Sequence, residues 1–239
     1  MTDDVKIMCI FALKEIKTIN TMNKNDKFVI SINRELGSGG RTVGRKLAEK
    51  LGVHFYDKAL IKALEEKYHL TVEEIEKLKG RKHNWWADFE RIAQIGQGLT
   101  NTLNPPLRPK DVSDVPTTDD MFKVETEILQ DIAKEESCVV AGRSGFYVFR
   151  DHPNHLSVLI QAPIPYRVAR VAEKQNMTEE EARKTIMKVD KMRENYVTRY
   201  TNTSRYDARY YDIVITMDKI TEDDAVDIIL DFINRQSQK

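Results

Sequence analysis

From residue 30 the chain reads Ile-Ser-Ile-Asn-Arg34-Glu-Leu-Gly37-Ser38-Gly39-Gly40-Arg41-Thr42-Val-Gly44. A buried-strand run, a glycine-rich turn and the start of a helical period follow one another without a gap. Glycine lets the backbone take positive φ and come close to a ligand, and successive amide N–H groups at a helix start form a cradle for an anion, most often phosphate. A chain with such a segment is built around a strand–turn–helix unit, and that unit restricts the fold to sheets covered by helices.

The rest of the pattern agrees. Cys138-Val139-Val140-Ala141, Ser157-Val158-Leu159-Ile160 and Asp212-Ile213-Val214-Ile215 are further short apolar runs. Their apolarity is continuous rather than alternating, as in strands buried on both faces of a parallel sheet. Longer helical periods separate them, so the expected class is α/β. Thr42 to Leu51 carries helical spacing at Val43, Leu47 and Leu51, and Thr71–Glu74 and Thr178–Glu181 read as capping boxes. Thr221 opens a last helix with an expected core stripe of Ala225, Ile228, Ile229, Phe232 and Ile233. Residues 3–19 read as a helix and 20–26 as a polar linker, so the expected division is an N-terminal extension, 1–26, and one domain, 27–239. Within that domain, 58–136 reads as a mostly helical insertion, with a loop over 96–120 rich in Gly, Asn, Pro, Asp and Thr.

Composition removes several function classes. The 239 residues carry 38 basic and 38 acidic side chains, a balance that lacks the basic field of a nucleic-acid or membrane-surface binder. No run reaches the roughly 18 apolar residues of a membrane span. Ile7 to Leu13 is short, follows Asp3 and Asp4 and lacks a small-residue cleavage site, so it is a poor signal peptide. Two cysteines, Cys9 and Cys138, are too few for a disulfide scaffold or a cysteine zinc site. The expected setting is a reducing cytoplasm, without nucleic-acid or membrane partners.

The turn departs from the standard phosphate loop G-x-x-x-x-G-K-[ST]. Gly40 stands at the lysine position in one register and Arg41 in the next, and Arg34 or Glu35 replaces the first glycine. Such a turn can serve packing alone. The groups crowded into it favour an anion site: Ser38 and Thr42 bring hydroxyls, Thr42 being a candidate Mg²⁺ ligand. Arg41 puts a cation at a helix start, where the dipole disfavours it unless an anion lies alongside.

Residues 30–51, with Ala141-Gly142-Arg143, Asp190-Lys-Met-Arg193 and Tyr211-Asp212, resemble the cytidylate kinase-like family, relatives of bacterial cytidylate kinase among the P-loop nucleoside monophosphate kinases. The resemblance covers about residues 27–235. It implies a P-loop NTPase-type three-layer sandwich with a five-stranded parallel sheet, a helical insertion and a lid over 163–200. It also implies phosphoryl transfer from ATP with Mg²⁺ to a small nucleotide, CMP or dCMP by default. By the same resemblance, Gly37, Ser38, Gly39, Gly40, Arg41 and Thr42 bind the donor phosphates, Arg41 standing in for the lysine. Asp57, Arg143, Asp190 and Arg193 serve the acceptor, while Arg167 and Arg170 close the lid. Arg41, Arg167 and Arg193 are the expected catalytic cations.

Three positions depart from the family's pattern. Ser144 follows Gly142-Arg143 where cytidylate kinases carry Asp, Ile186 stands where a further arginine belongs, and the loop lysine is missing. A nucleotide-binding regulator with weak or lost chemistry, on the same fold, is therefore the alternative reading, and a kinase with another acceptor a third. On the residues alone, Arg143 also fits a surface salt bridge, Arg170 a solvated helix face, Asp190 a partner for Arg193, and Asp57 a helix N-cap. Trp85-Trp86 fits helix packing better than base stacking, since neighbours on a helix point about 100° apart. The five histidines show no zinc spacing beyond His152-x-x-His155.

Overall fold

The structure, a computed structural model, describes residues 22–57 and 118–236. The expected helix at 3–19, the Thr71–Glu74 box, Trp85, Trp86, His69, His83 and most of the insertion lie outside them. The elements, in order, are β1 (Val29–Arg34), α1 (Gly40–Leu51), β2 (His54–Tyr56), α2 (Thr118–Glu135), β3 (Cys138–Ala141) and α3 (Gly145–Val148). There follow β4 (His155–Gln161), α4 (Ile164–Gln175), α5 (Glu179–Thr201), a 3₁₀ turn (Ala208–Tyr210), β5 (Ile213–Thr216) and α6 (Glu222–Gln236). Residues 118–120, read as the end of a loop, are already helical in α2.

The strands form one five-stranded sheet in the order β2-β3-β1-β4-β5. β1 lies between β3 and β4, parallel to both, with Val29 opposite Cys138 on one side and His155 on the other. β4 pairs with β5 in parallel, Val158 opposite Ile213. Side chains alternate across the sheet. Ile30, Ile32, Val158 and Ile160 pack with Val43 and Leu47 of α1 and with Ala225, Val226, Ile229 and Ile233 of α6. Leu159 turns to the other face, against Phe146, Val197 of α5 and Tyr211. Helices thus cover both faces, the α/β sandwich expected for continuously apolar strands.

Two details differ from the sequence reading. In α6, Ile228 is largely exposed and Val226 is buried. At about 100° per residue, Ile228 lies more than a quarter turn from the direction shared by Ala225, Val226, Ile229 and Ile233. Residues 22–26, read as linker, are docked: Met22 is 1% exposed. Its N–H donates to Gln236 Oε1, and Asn154 donates from its side chain to the carbonyls of Asn23 and Lys27. A polar composition concealed one buried methionine and an asparagine clamp from a distant loop.

Chain contacts separate two compact units, residues 56–132 and the remainder; the first overlaps the expected insertion. The residues of the site below belong to the second, except Asp57, which falls in the first.

Candidate functional site

β1 delivers the chain to the edge of the sheet at Arg34, and the turn from Glu35 to Gly39 carries it into α1. The turn is clamped on every side. Glu35 N–H donates to the Ile160 carbonyl, and Glu35 Oε2 accepts from Ala162 N–H at 3.0 Å. Ser38 is wholly buried, and its hydroxyl reaches the carbonyls of Glu35 and Ile160 at 3.0 and 3.1 Å. Ser38 therefore spends its hydroxyl on fixing the loop to β4. Gly37 (φ +85°) and Gly39 (φ +87°) are left-handed, and Gly39 caps α1. A Cβ on Gly37 would lie 2.8 Å from the Arg167 carbonyl, so this glycine answers a packing demand as well as a conformational one.

With the turn so held, several loop amides are accounted for. Leu36 N–H donates to Asp190 Oδ1, Ser38 N–H to the Glu35 carbonyl, and Thr42 N–H to the Gly39 carbonyl. The N–H groups of Gly37, Gly39 and Gly40 find no acceptor among the described residues. Three unpartnered donors beside a helix N-terminus have the chemistry to cradle an anion. Thr42, one position beyond the exposed Arg41, is half-buried. Its hydroxyl makes no side-chain hydrogen bond among the described residues, so it remains available as an oxygen donor. Mg²⁺ in nucleotide sites takes one or two protein oxygens and completes its shell with phosphates and water, and Thr42 fits that demand. No group of three His, Cys, Asp or Glu suited to a metal occurs among the described residues.

The arginines divide into two kinds. Arg167, expected on the lid, is 5% exposed, and its Nη1 lies 2.5 Å from Asp190 Oδ2 with Nη2 3.5 Å from Glu35 Oε1. Here it is a buried strut between the loop, α4 and α5. Asp190, read as a partner for Arg193, is the centre of that strut: it accepts from Leu36 N–H, from Arg167 and, at 3.4 Å, from Arg193. Arg193 also donates to the Arg34 carbonyl at 3.3 Å and keeps a third of its side chain exposed. Burial and the neighbouring Arg205 guanidinium hold its pKa below the ordinary arginine value, against the pull of Asp190. Arg170 pairs with Glu222 of α6, and both lie over Gly39, Glu222 Oε1 being 3.3 Å from where a Cβ there would stand.

At the end of β3, Gly142, Arg143 and Ser144 are three consecutive residues of positive φ (86°, 55° and 53°). For Arg143 and Ser144 this conformation costs about 1–2 kcal/mol each, the kind of strain that gathers at functional sites. Arg34 reaches across to this bend, for a Cβ on Gly142 would fall 2.1 Å from Arg34 Nη1. Because β3 runs parallel to β1, the bend lies at the same end of the sheet as the loop. Asp57 is buried directly after β2. Its two readings depend on the segment from 58 onwards, outside the described residues.

One group escaped the sequence reading. Arg205, in the polar stretch after α5, donates to Asn33 Oδ1 at 3.0 Å and to the Arg34 carbonyl. Tyr211 donates its hydroxyl to the Arg205 carbonyl at 2.7 Å, and burial pushes its pKa up. Asn33 beside the loop motif was a faint signal; nothing in sequence marks Arg205. Asp212, next to Tyr211, accepts from Ser157 N–H at 2.7 Å and joins β5 to β4.

The chain is similar to known proteins in sequence and in fold. A sequence model of the cytidylate kinase-like family matches residues 29–219. Cytidylate kinase of Methanopyrus kandleri is 23% identical over 210 residues, 84% of this chain and 90% of that enzyme. Cytidylate kinase of Sulfolobus acidocaldarius is 26% identical over 115 residues, 48% of this chain; the match spans 63% of that enzyme, less than two thirds. Among solved structures, an uncharacterized protein from Eubacterium ventriosum superposes with a TM-score of 0.63 at 25% identity, covering 87% of this chain and 99% of that one. The family match, running from β1 past β5 and so across the glycine-rich turn, the Gly142 bend and the Asp190–Arg193 pair, shows that the chain belongs to the cytidylate kinase-like family.

Proposed function

We propose that the protein transfers the γ-phosphoryl group of ATP to a nucleoside monophosphate, with CMP or dCMP as the first choice of acceptor. The observation that carries this reading is the cradle of Gly37, Gly39 and Gly40 N–H groups, held open by clamps that leave those three donors unspent. An acceptor phosphate oxygen attacks the γ-phosphorus in line, and ADP leaves. Such transfer needs positioning and cations over the equatorial oxygens more than covalent help. In this reading the loop amides hold the β-phosphate and Arg41 lies along the β- and γ-phosphates. Arg143 and Arg193 hold the acceptor phosphate. Arg170 comes over the donor once released from Glu222, while Arg167, Asp190 and Glu35 keep the loop in shape. Thr42 would hold Mg²⁺, which when bound neutralises charge on the donor phosphates.

Coupled ADP-release assays with Mg²⁺·ATP against CMP, dCMP, UMP, AMP and GMP test the reading. Turnover with CMP or dCMP above the others is expected. A protein that binds ATP but turns over none of them is not a nucleotide kinase of this kind.

The regulator reading draws on one structural observation besides the sequence departures: Arg167 is consumed in a buried ion-pair network. A regulator would hold nucleotide at equilibrium with no turnover, and the same assays separate the two.

A further inference from the structure

Arg205 heads the fully buried side chains by residue size among the described residues, 1% exposed. Only its Nη2 is engaged, with Asn33 and the Arg34 carbonyl. Nε and Nη1 find no partner, and the guanidinium forms no ion pair among the described residues. Glu194, the nearby carboxylate, accepts instead from the Arg205 main-chain N–H at 3.2 Å. A second guanidinium, Arg193, stands close enough to repel it. The Tyr206 ring, 5.3 Å from the Arg205 guanidinium carbon, covers it from outside.

A buried guanidinium with no direct ion pair and two unpaired nitrogens costs several kcal/mol, a large share of the stability of any domain. Two guanidiniums meeting at one backbone carbonyl make the arrangement costlier still, unless a dianion binds between them. Its place in the sheet indicates which dianion. Ile30 and Ile32 of β1 face α1 and α6. Asn33, of opposite parity, faces the side of Arg205 and Tyr211. The loop amides open at the start of α1, so the unpaired guanidinium lies across the end of β1 from the donor cradle.

We propose that Arg205, together with Arg193, binds the phosphate of the acceptor as a phosphomonoester dianion, with Tyr206 as the cover that must shift to admit it. This rests on the nucleotide-kinase reading and adds to it a binding residue outside the motifs that carry the family resemblance.

The test compares wild type with Arg205→Met and Arg205→Lys by melting temperature with and without inorganic phosphate, and by equilibrium binding of CMP and of Mg²⁺·ATP. In wild type, phosphate is expected to raise the melting temperature. In Arg205→Met that rise disappears and the Kd for CMP increases at least about tenfold, the loss expected for a charge-assisted contact, while the Kd for Mg²⁺·ATP stays within about twofold. Its apoprotein melts no lower than wild type, because a buried guanidinium without an ion pair has gone. Arg205→Lys keeps the charge without the fork and retains part of the phosphate response. A phosphate rise that survives in Arg205→Met, or CMP binding left unchanged there, overturns the proposal and makes Arg205 a strut. If Arg205→Met fails to fold, Arg205→Lys decides: an unchanged Kd for CMP overturns the proposal, a raised one with intact Mg²⁺·ATP binding supports it. A wild type that binds no nucleoside monophosphate, yet is stabilised by phosphate through Arg205, removes the acceptor reading and keeps the anion site.

Discussion

Gly37 combines two demands that only glycine meets: φ of +85° and a space in which a Cβ would press on the Arg167 carbonyl at 2.8 Å. Gly37→Ala is expected to lose about 1–3 kcal/mol from the backbone strain alone, read as a lowered urea midpoint at unchanged slope. A substitution within half a kcal/mol would show that the turn relaxes freely. Arg41 is a different case, since its proposed role lies with a ligand. It is exposed in the first turn of α1, while Arg45, one turn on, pairs with Glu49 at 3.0 Å. Arg41→Ala should weaken Mg²⁺·ATP binding or lower kcat by about tenfold or more, with Arg45→Ala within about twofold and both apoproteins melting alike. Equal effects would indicate a diffuse basic field, and no effect from either would return the turn to packing.

At the scale of elements, local signals were legible and distant partnerships were not. The strands at 138–141 and 213–216 were visible because burial on both faces leaves an uninterrupted apolar run. The Thr178 capping box stands as read, Glu181 N–H donating to Thr178 Oγ1 and Thr178 N–H to Glu181. The loop motif pointed to an anion site, but its supports did not show. Arg167 and Asp190 are 23 positions apart, and Leu36 and Asp190 are 154 apart. Arg205 sits among polar residues that give no periodic sign of burial. Met22 is the same lesson in apolar form, and it supplies a prediction. Met22→Ala should cost about 2–5 kcal/mol, because the side chain fills the core shared by α1 and α6. A loss under half a kcal/mol, by denaturant titration, would make 22–26 the linker that its composition suggests.

At the scale of the molecule, the Arg170–Glu222 pair has a consequence for how the protein meets its first ligand. The pair lies over Gly39, so an acidic side chain of α6 already occupies the neighbourhood a donor phosphate would enter. The apoprotein carries its own competitor. On the proposed role of Arg170, a nucleotide must win the guanidinium from a tethered carboxylate, and the observed affinity is the intrinsic one reduced by the fraction of molecules in which that exchange is open. Both partners are partly exposed, so the contest is small, about 0–1 kcal/mol, and salt weakens the incumbent. Glu222→Gln should then tighten Mg²⁺·ATP binding up to about fivefold at low ionic strength, with the gain shrinking as salt is raised and the melting temperature of the apoprotein little changed. Unchanged or weaker binding in that variant would mean that Arg170 is not drawn to the nucleotide. If the gain appears, the resting protein is one that sets a threshold: ordinary polyanions at low concentration leave the carboxylate in place, and only a ligand that also fills the amide cradle displaces it.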